Sequence, residues 1–140
     1  MYFLKAALSL ALLAGSALAQ STQLTLPAPY STLIPGDNVT VRVGMGGYPE
    51  NIDVVAMVIG LAACYDSECF PPTDTMGTIL YQGPYKPVSG QYYEDFTVTV
   101  PKTFIPGKAA LNVINFFMVG ASYQPNVQYL NETVFIASLT

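Results

Sequence analysis

Residues 96–120, FTVTVPKTFIPGKAALNVINFFMVG, carry two strand signatures separated by a corner. Phe96, Val98 and Val100 alternate with Thr97 and Thr99. That two-residue period belongs to a strand with one face in a core and the other in water. A longer apolar run follows, from Lys108 to Val119. Between them Pro101 and Pro106 fix φ and Gly107 permits positive φ, the chemistry a chain reversal needs.

Working outward, seven strands are predicted in all, at Gln23–Leu26, Asn38–Val43, Asp53–Leu61, Thr78–Gln82, Tyr92–Val100, Lys108–Val119 and Tyr129–Ser138, the third a continuous apolar run like the sixth. Pro35-Gly36-Asp37 and Gly83-Pro84-Tyr85-Lys86-Pro87 supply turns between them. The β-branched content of VVAMVIG argues against a helix there, and no convincing amphipathic helix follows the leader. The expected fold is all-β: a single immunoglobulin-like or fibronectin-like β-sandwich of about seven strands.

The first 19 residues are read as a secretory signal peptide. Lys5 precedes an apolar run, Ala6 to Ala14, and Ala17-Leu18-Ala19 has the small-x-small form of a cleavage site. The run is short and broken by Gly15 and Ser16, so a membrane anchor is the weaker reading. The expected mature domain is residues 20–140. Losing Lys5 from a chain of net charge −4 leaves −5, an unfavourable charge for nucleic acid or anionic membranes. Asn38-Val39-Thr40 and Asn131-Glu132-Thr133 are N-glycosylation sequons. If Val39, Val41 and Val43 face one core, and Leu130, Val134 and Ile136 the other side of it, Asn38 and Asn131 both face out.

Two strands are apolar on both faces. Val54, Ala56 and Val58 alternate with Val55, Met57 and Ile59; Ile114, Phe116 and Met118 alternate with Val113, Phe117 and Val119. In an immunoglobulin-like order these strands are neighbours, so Val54, Val58, Ile114, Phe116 and Met118 are expected to merge into one outward patch. A partner, a covering loop or N-terminal segment, or homodimerisation would each account for it. Asn115 shares the inner face with Val113 and Phe117 and needs a hydrogen-bonding partner or a bulge there. At one end of the expected sandwich Tyr48, Tyr85 and Tyr123 stand among small polar residues, the composition of adaptable binding loops and of ordinary loops alike.

Cys64 and Cys69, with four residues between them, read as a disulfide in a secreted chain. The chain has no histidine, which leaves zinc poorly served and removes every Ser-His or Cys-His couple. Calcium on Asp66, Glu68 and Asp74 is the weaker reading of that loop. Adjacent Glu94 and Asp95 point to opposite faces of a strand and form no carboxylate pair. The expectation is a protein without catalytic activity and without a cofactor.

TLIPGDNVTVRV, VVAMVIGLA, GTILYQGPY, FTVTVP, PGKAALNV and FFMVGASYQP, in that order, resemble the fungal necrosis-inducing secreted protein effector family. The resemblance spans nearly all of the mature chain. It implies a secreted effector that suppresses plant pattern-triggered immunity by binding and inhibiting immune receptor-like kinases and cytoplasmic kinases, without catalysis. Such a role implies the apoplast, with translocation into host cytoplasm, where loss of the small disulfide ring is tolerable. Two other readings stay open: a wall-polysaccharide-binding module using the tyrosine loops, which the absence of tryptophan disfavours, and a self-associating surface protein.

Overall fold

The computed structural model describes residues 21–46 and 51–139. The expected leader and Tyr48 lie outside the described residues. Eight strands are present: β1 (Thr22–Leu26), β2 (Thr32–Leu33), β3 (Asn38–Met45), β4 (Ile52–Ala63), β5 (Thr78–Gly83), β6 (Tyr93–Thr99), β7 (Gly107–Val119) and β8 (Gln124–Ile136). They form a three-stranded sheet, β1-β3-β6, and a five-stranded sheet, β2-β8-β7-β4-β5. The chain is an all-β sandwich, and the corner after β6 carries it from one sheet to the other. Gly107, at φ 119°, opens β7 in a conformation that a side chain would strain.

Alternation decides which side chains meet between the sheets. Val41, Val43 and Met45 of β3 and Phe96 and Val98 of β6 face Met57, Ile59 and Leu61 of β4, Leu111, Val113 and Phe117 of β7, and Val134 and Ile136 of β8. Each such side chain contributes roughly 1.5–3 kcal/mol relative to exposure. Tyr81 closes the open side between β5 and β6, its ring centroid 4.6 Å from that of Phe96. Asn115 lies fully buried among these residues, as its position on the inner face requires. Its Nδ2 donates to Thr22 Oγ1 at 2.8 Å and to Met45 Sδ at 3.5 Å.

Three features depart from the expected strands. β2 is an eighth strand of two residues, parallel to β8; two residues are too few to show a period. β8 begins at Gln124 rather than Tyr129, because Gln124–Gln128 carries little β propensity yet pairs residue by residue with the end of β7. The third is a bulge in β4 between Val54 and Ala56. It turns Val54 inward, opposite Phe117 and packed on the core, and leaves Val55 45% exposed. Val54 therefore does not belong to the outward patch. Strict alternation places it there, and one extra residue reverses the faces on either side of it.

Candidate functional site

The outer faces of the two sheets differ in kind. On the three-stranded sheet Gln23, Thr25, Asn38, Thr40, Arg42, Asp95, Thr97 and Thr99 face outward. Arg42 forms a bidentate ion pair with Asp95, at 2.7 and 2.9 Å, and its guanidinium lies 4.1 Å from the Tyr93 ring centroid. Hydrogen bonding to Arg42 holds the Asp95 carboxyl below the usual carboxylate range.

On the five-stranded sheet the outer face is apolar and falls into two halves. In one, cross-strand register aligns Val58 with Ile114 and Ile114 with Tyr129; the next row aligns Ala56 with Phe116 and Phe116 with Val127. Met118 lies beyond them, opposite Pro125. Val58, Ile114, Phe116 and Met118 are half-buried, while Val127 and Tyr129 are 48% and 49% exposed. No charged side chain stands in these two rows.

The other half is covered. The segment between β4 and β5 folds back over Gly60, Ala62, Ala110 and Asn112, all buried. Gly60 is required by this contact, since a Cβ there would lie 2.3 Å from the Met76 carbonyl oxygen. Asn112 Nδ2 donates to Thr75 O at 3.2 Å. One of the expected explanations thus applies to part of this face: a loop covers one half, and among the described residues nothing covers the other.

The covering segment starts at the Cys64–Cys69 disulfide, whose Cα atoms are 4.4 Å apart. Within the ring Tyr65 and Glu68 exchange backbone hydrogen bonds of 2.9 and 2.8 Å around Asp66 and Ser67, both at positive φ. That is the geometry of a tight hairpin turn. Lys108 Nζ donates to Ser67 O at 3.0 Å. Beside it a groove of about 370 Å³ is lined by Tyr65, Phe70, Thr75, Pro101, Phe104 and Ile105. Among the described residues no three His, Cys, Asp or Glu side chains, Asp66, Glu68 and Asp74 included, converge as a metal site would require.

At the opposite end, described residues flanking three turns meet in pairs, residue 45 with 92 and residue 51 with 120. Met45 N donates to Tyr92 O at 2.8 Å and Gly120 N to Asn51 O at 2.8 Å. Tyr123 stands 61% exposed there. Tyr85 does not join it: the ring is 3% exposed, packed with Phe96, and its hydroxyl donates to Val43 O at 3.1 Å. The turn residues around it are polar, but Tyr85 itself is the plug that seals this end of the core. Sequon residues Asn38 and Asn131 are both exposed, Asn38 Oδ1 accepting a bond from Thr99 Oγ1 at 2.7 Å.

Glu132 was not anticipated. It occupies an inner-face position opposite Leu111, is 9% exposed, and leaves Oε2 without a partner. Burial pushes its carboxyl up to about 7. The signal was available in the sequence, as Glu132 falls between Leu130 and Val134 in the inward phase of the strand.

The Nis1 family model matches residues 17–135. The chain belongs to the Nis1 family. This Nis1 family member is 28% identical over 142 residues to the Necrosis-inducing secreted protein 1 of Colletotrichum orbiculare, an alignment covering 100% of this chain and 83% of that protein. Among solved structures it is similar to an AA10 lytic polysaccharide monooxygenase from Streptomyces lividans, with a TM-score of 0.51 at 14% identity. That alignment covers 76% of this chain and 59% of the other, and the likeness is one of fold alone.

Proposed function

We propose that this Nis1 family member is a secreted fungal effector that acts by masking a host protein. Family membership and the secreted relative support the effector role. The observation that carries the mechanism is the open half of the outer sheet face, where Val58, Ile114 and Phe116 stand in apolar rows without a charged side chain and Met118 adjoins them opposite Asp53. A surface of this kind buries favourably against a partner. Following the family resemblance, the partners are plant immune receptor-like kinases and their cytoplasmic partner kinases, held inactive by occlusion and without chemistry on the effector's side. The disulfide ring is compatible with action in the cytosol, because the core does not depend on it.

The test is a pull-down from plant membrane and cytosolic extract with the wild type and with Phe116→Asp, a half-buried outward position at which a charge leaves the core untouched. Kinases enriched by the wild type and lost with Phe116→Asp support the reading. Kinases retained by a folded Phe116→Asp protein, or recovery of wall polysaccharide instead, would overturn it. The polysaccharide alternative has already lost one of its three rings, Tyr85, to the core.

A further inference from the structure

The two sequons sit in different surroundings. Asn131 and Thr133 of the second share one phase of β8 with Tyr129, so all three side chains rise from the outer face of the five-stranded sheet. At about 3.4 Å per residue, Tyr129 stands roughly 7 Å along the strand from Asn131. Both side chains are exposed, and β8 holds them at this spacing by pairing residue by residue with β7. The flank of Asn131 is free as well. β2 closes only the far end of β8: Tyr30 N donates to Thr133 O at 2.7 Å and Phe135 N to Ser31 O at 2.9 Å. Odd-numbered residues of β8 therefore direct their backbone groups away from β7. Among the described residues no segment pairs with Val127, Tyr129 or Asn131 on that side.

We propose that Asn131 carries an N-linked glycan whose first N-acetylglucosamine packs on the Tyr129 ring. One face of a pyranose is lined by C–H groups, and the face of an aromatic ring carries the negative part of its quadrupole. The two attract, and apolar area leaves water as they meet. The sugar is tethered to Asn131 by an amide bond, so contact with a ring two residues away is an intramolecular event at high effective concentration.

Asn38 offers no such platform. Gly36 and Thr40 flank it in phase, Thr99 lies opposite, and its Oδ1 accepts from Thr99 Oγ1 at 2.7 Å. Phe135, the next ring beyond Asn131 on the outer face of β8, is roughly 13 Å along the strand and stacks with Tyr30 at a centroid distance of 6.3 Å. The free flank gives the glycan a second bearing. An edge without lysine or bulge is open to added strands, and residues 124–131, QPNVQYLN, have neither. A glycan fixed at Asn131 is the covering element this edge otherwise lacks. The inference does not rest on the host-docking reading, whose residues lie on β4 and β7.

The test uses the Asn38→Gln chain, secreted by yeast and trimmed enzymatically to a single N-acetylglucosamine. Its reference is the same chain from a bacterial periplasm, where the disulfide forms and no N-glycan is added. Intact mass should show one sugar, and the trimmed protein should melt about 3 °C higher, the shift expected of a contact the size of an aromatic pair. In the same background Tyr129→Phe should keep the gain, whereas Tyr129→Leu should keep the sugar and lose the gain. The Asn131→Gln chain, with its sugar on Asn38, should gain nothing from it. An unmodified Asn131, a trimmed protein that melts no higher, a gain that survives Tyr129→Leu, or an equal gain from the Asn38 sugar would overturn the proposal.

Discussion

Glu132 lies on the inner face of β8 with one carboxylate oxygen buried and unpaired, and its neighbours in phase are Leu130 and Val134. Because burial raises its folded pKa to about 7 from about 4.5, the fold holds a proton that the unfolded chain has released. Its contribution to stability is complete below about pH 4.5 and is lost as pH rises through about 7. After allowance for solvent screening at the sheet edge, the loss is on the order of 1–2 kcal/mol. Urea midpoints measured from pH 4 to pH 8 should fall in the wild type, and Glu132→Gln should remove most of that slope. Tyr85 gives a second single-residue test. Tyr85→Phe keeps the ring and deletes the bond to Val43 O, and should lower stability by about 1 kcal/mol while leaving any ligand binding unchanged. At this scale the sequence was legible where phase alone decides. Asn115 was expected on the inner face with a hydrogen-bonding partner or a bulge, and it is buried there with Nδ2 bonded to Thr22 Oγ1. Tyr85 was not legible, because a residue in a turn has no periodic neighbours to show which way it points.

Gly60 and the segment above it act as a unit. A methyl group at Gly60 would meet the Met76 carbonyl at 2.3 Å, so Gly60→Ala must lift the covering segment or bend β4. Either response costs about 1–3 kcal/mol. The expected outcome is a lower melting temperature together with faster proteolytic cleavage between Cys69 and Gly77, read by mass spectrometry. Reduction of the Cys64–Cys69 disulfide should cost a similar amount, about 2 kcal/mol on the chain-entropy model, with the strand signature retained in circular dichroism. Seven of the eight strands could be read from alternation and turn chemistry. The exceptions have physical reasons: β2 is too short to have a period, and the Val55 bulge resets the phase of β4, so Val54 was assigned to the wrong face.

For the whole molecule, the sandwich followed from seven short strands between Pro/Gly turns, and the apolar outer face from Asp53–Leu61 and Lys108–Val119, since a strand apolar on both faces must cover something on each side. Which half of that face stays open did not follow, because it depends on the path of a loop. If the open half docks a kinase, Phe116→Asp should weaken binding by on the order of 2 kcal/mol, about thirtyfold in Kd by titration calorimetry. The two outer faces also make the sandwich lopsided. One broad side is threonine, asparagine and an Arg42–Asp95 pair, while the other is valine, isoleucine, phenylalanine and methionine. At any boundary between oil or wax and water such a body has a preferred side up. It would settle with β7 and β4 against the oily phase, like a coin that lands on one face, and present the Asn38 sequon and its polar neighbours to the water above.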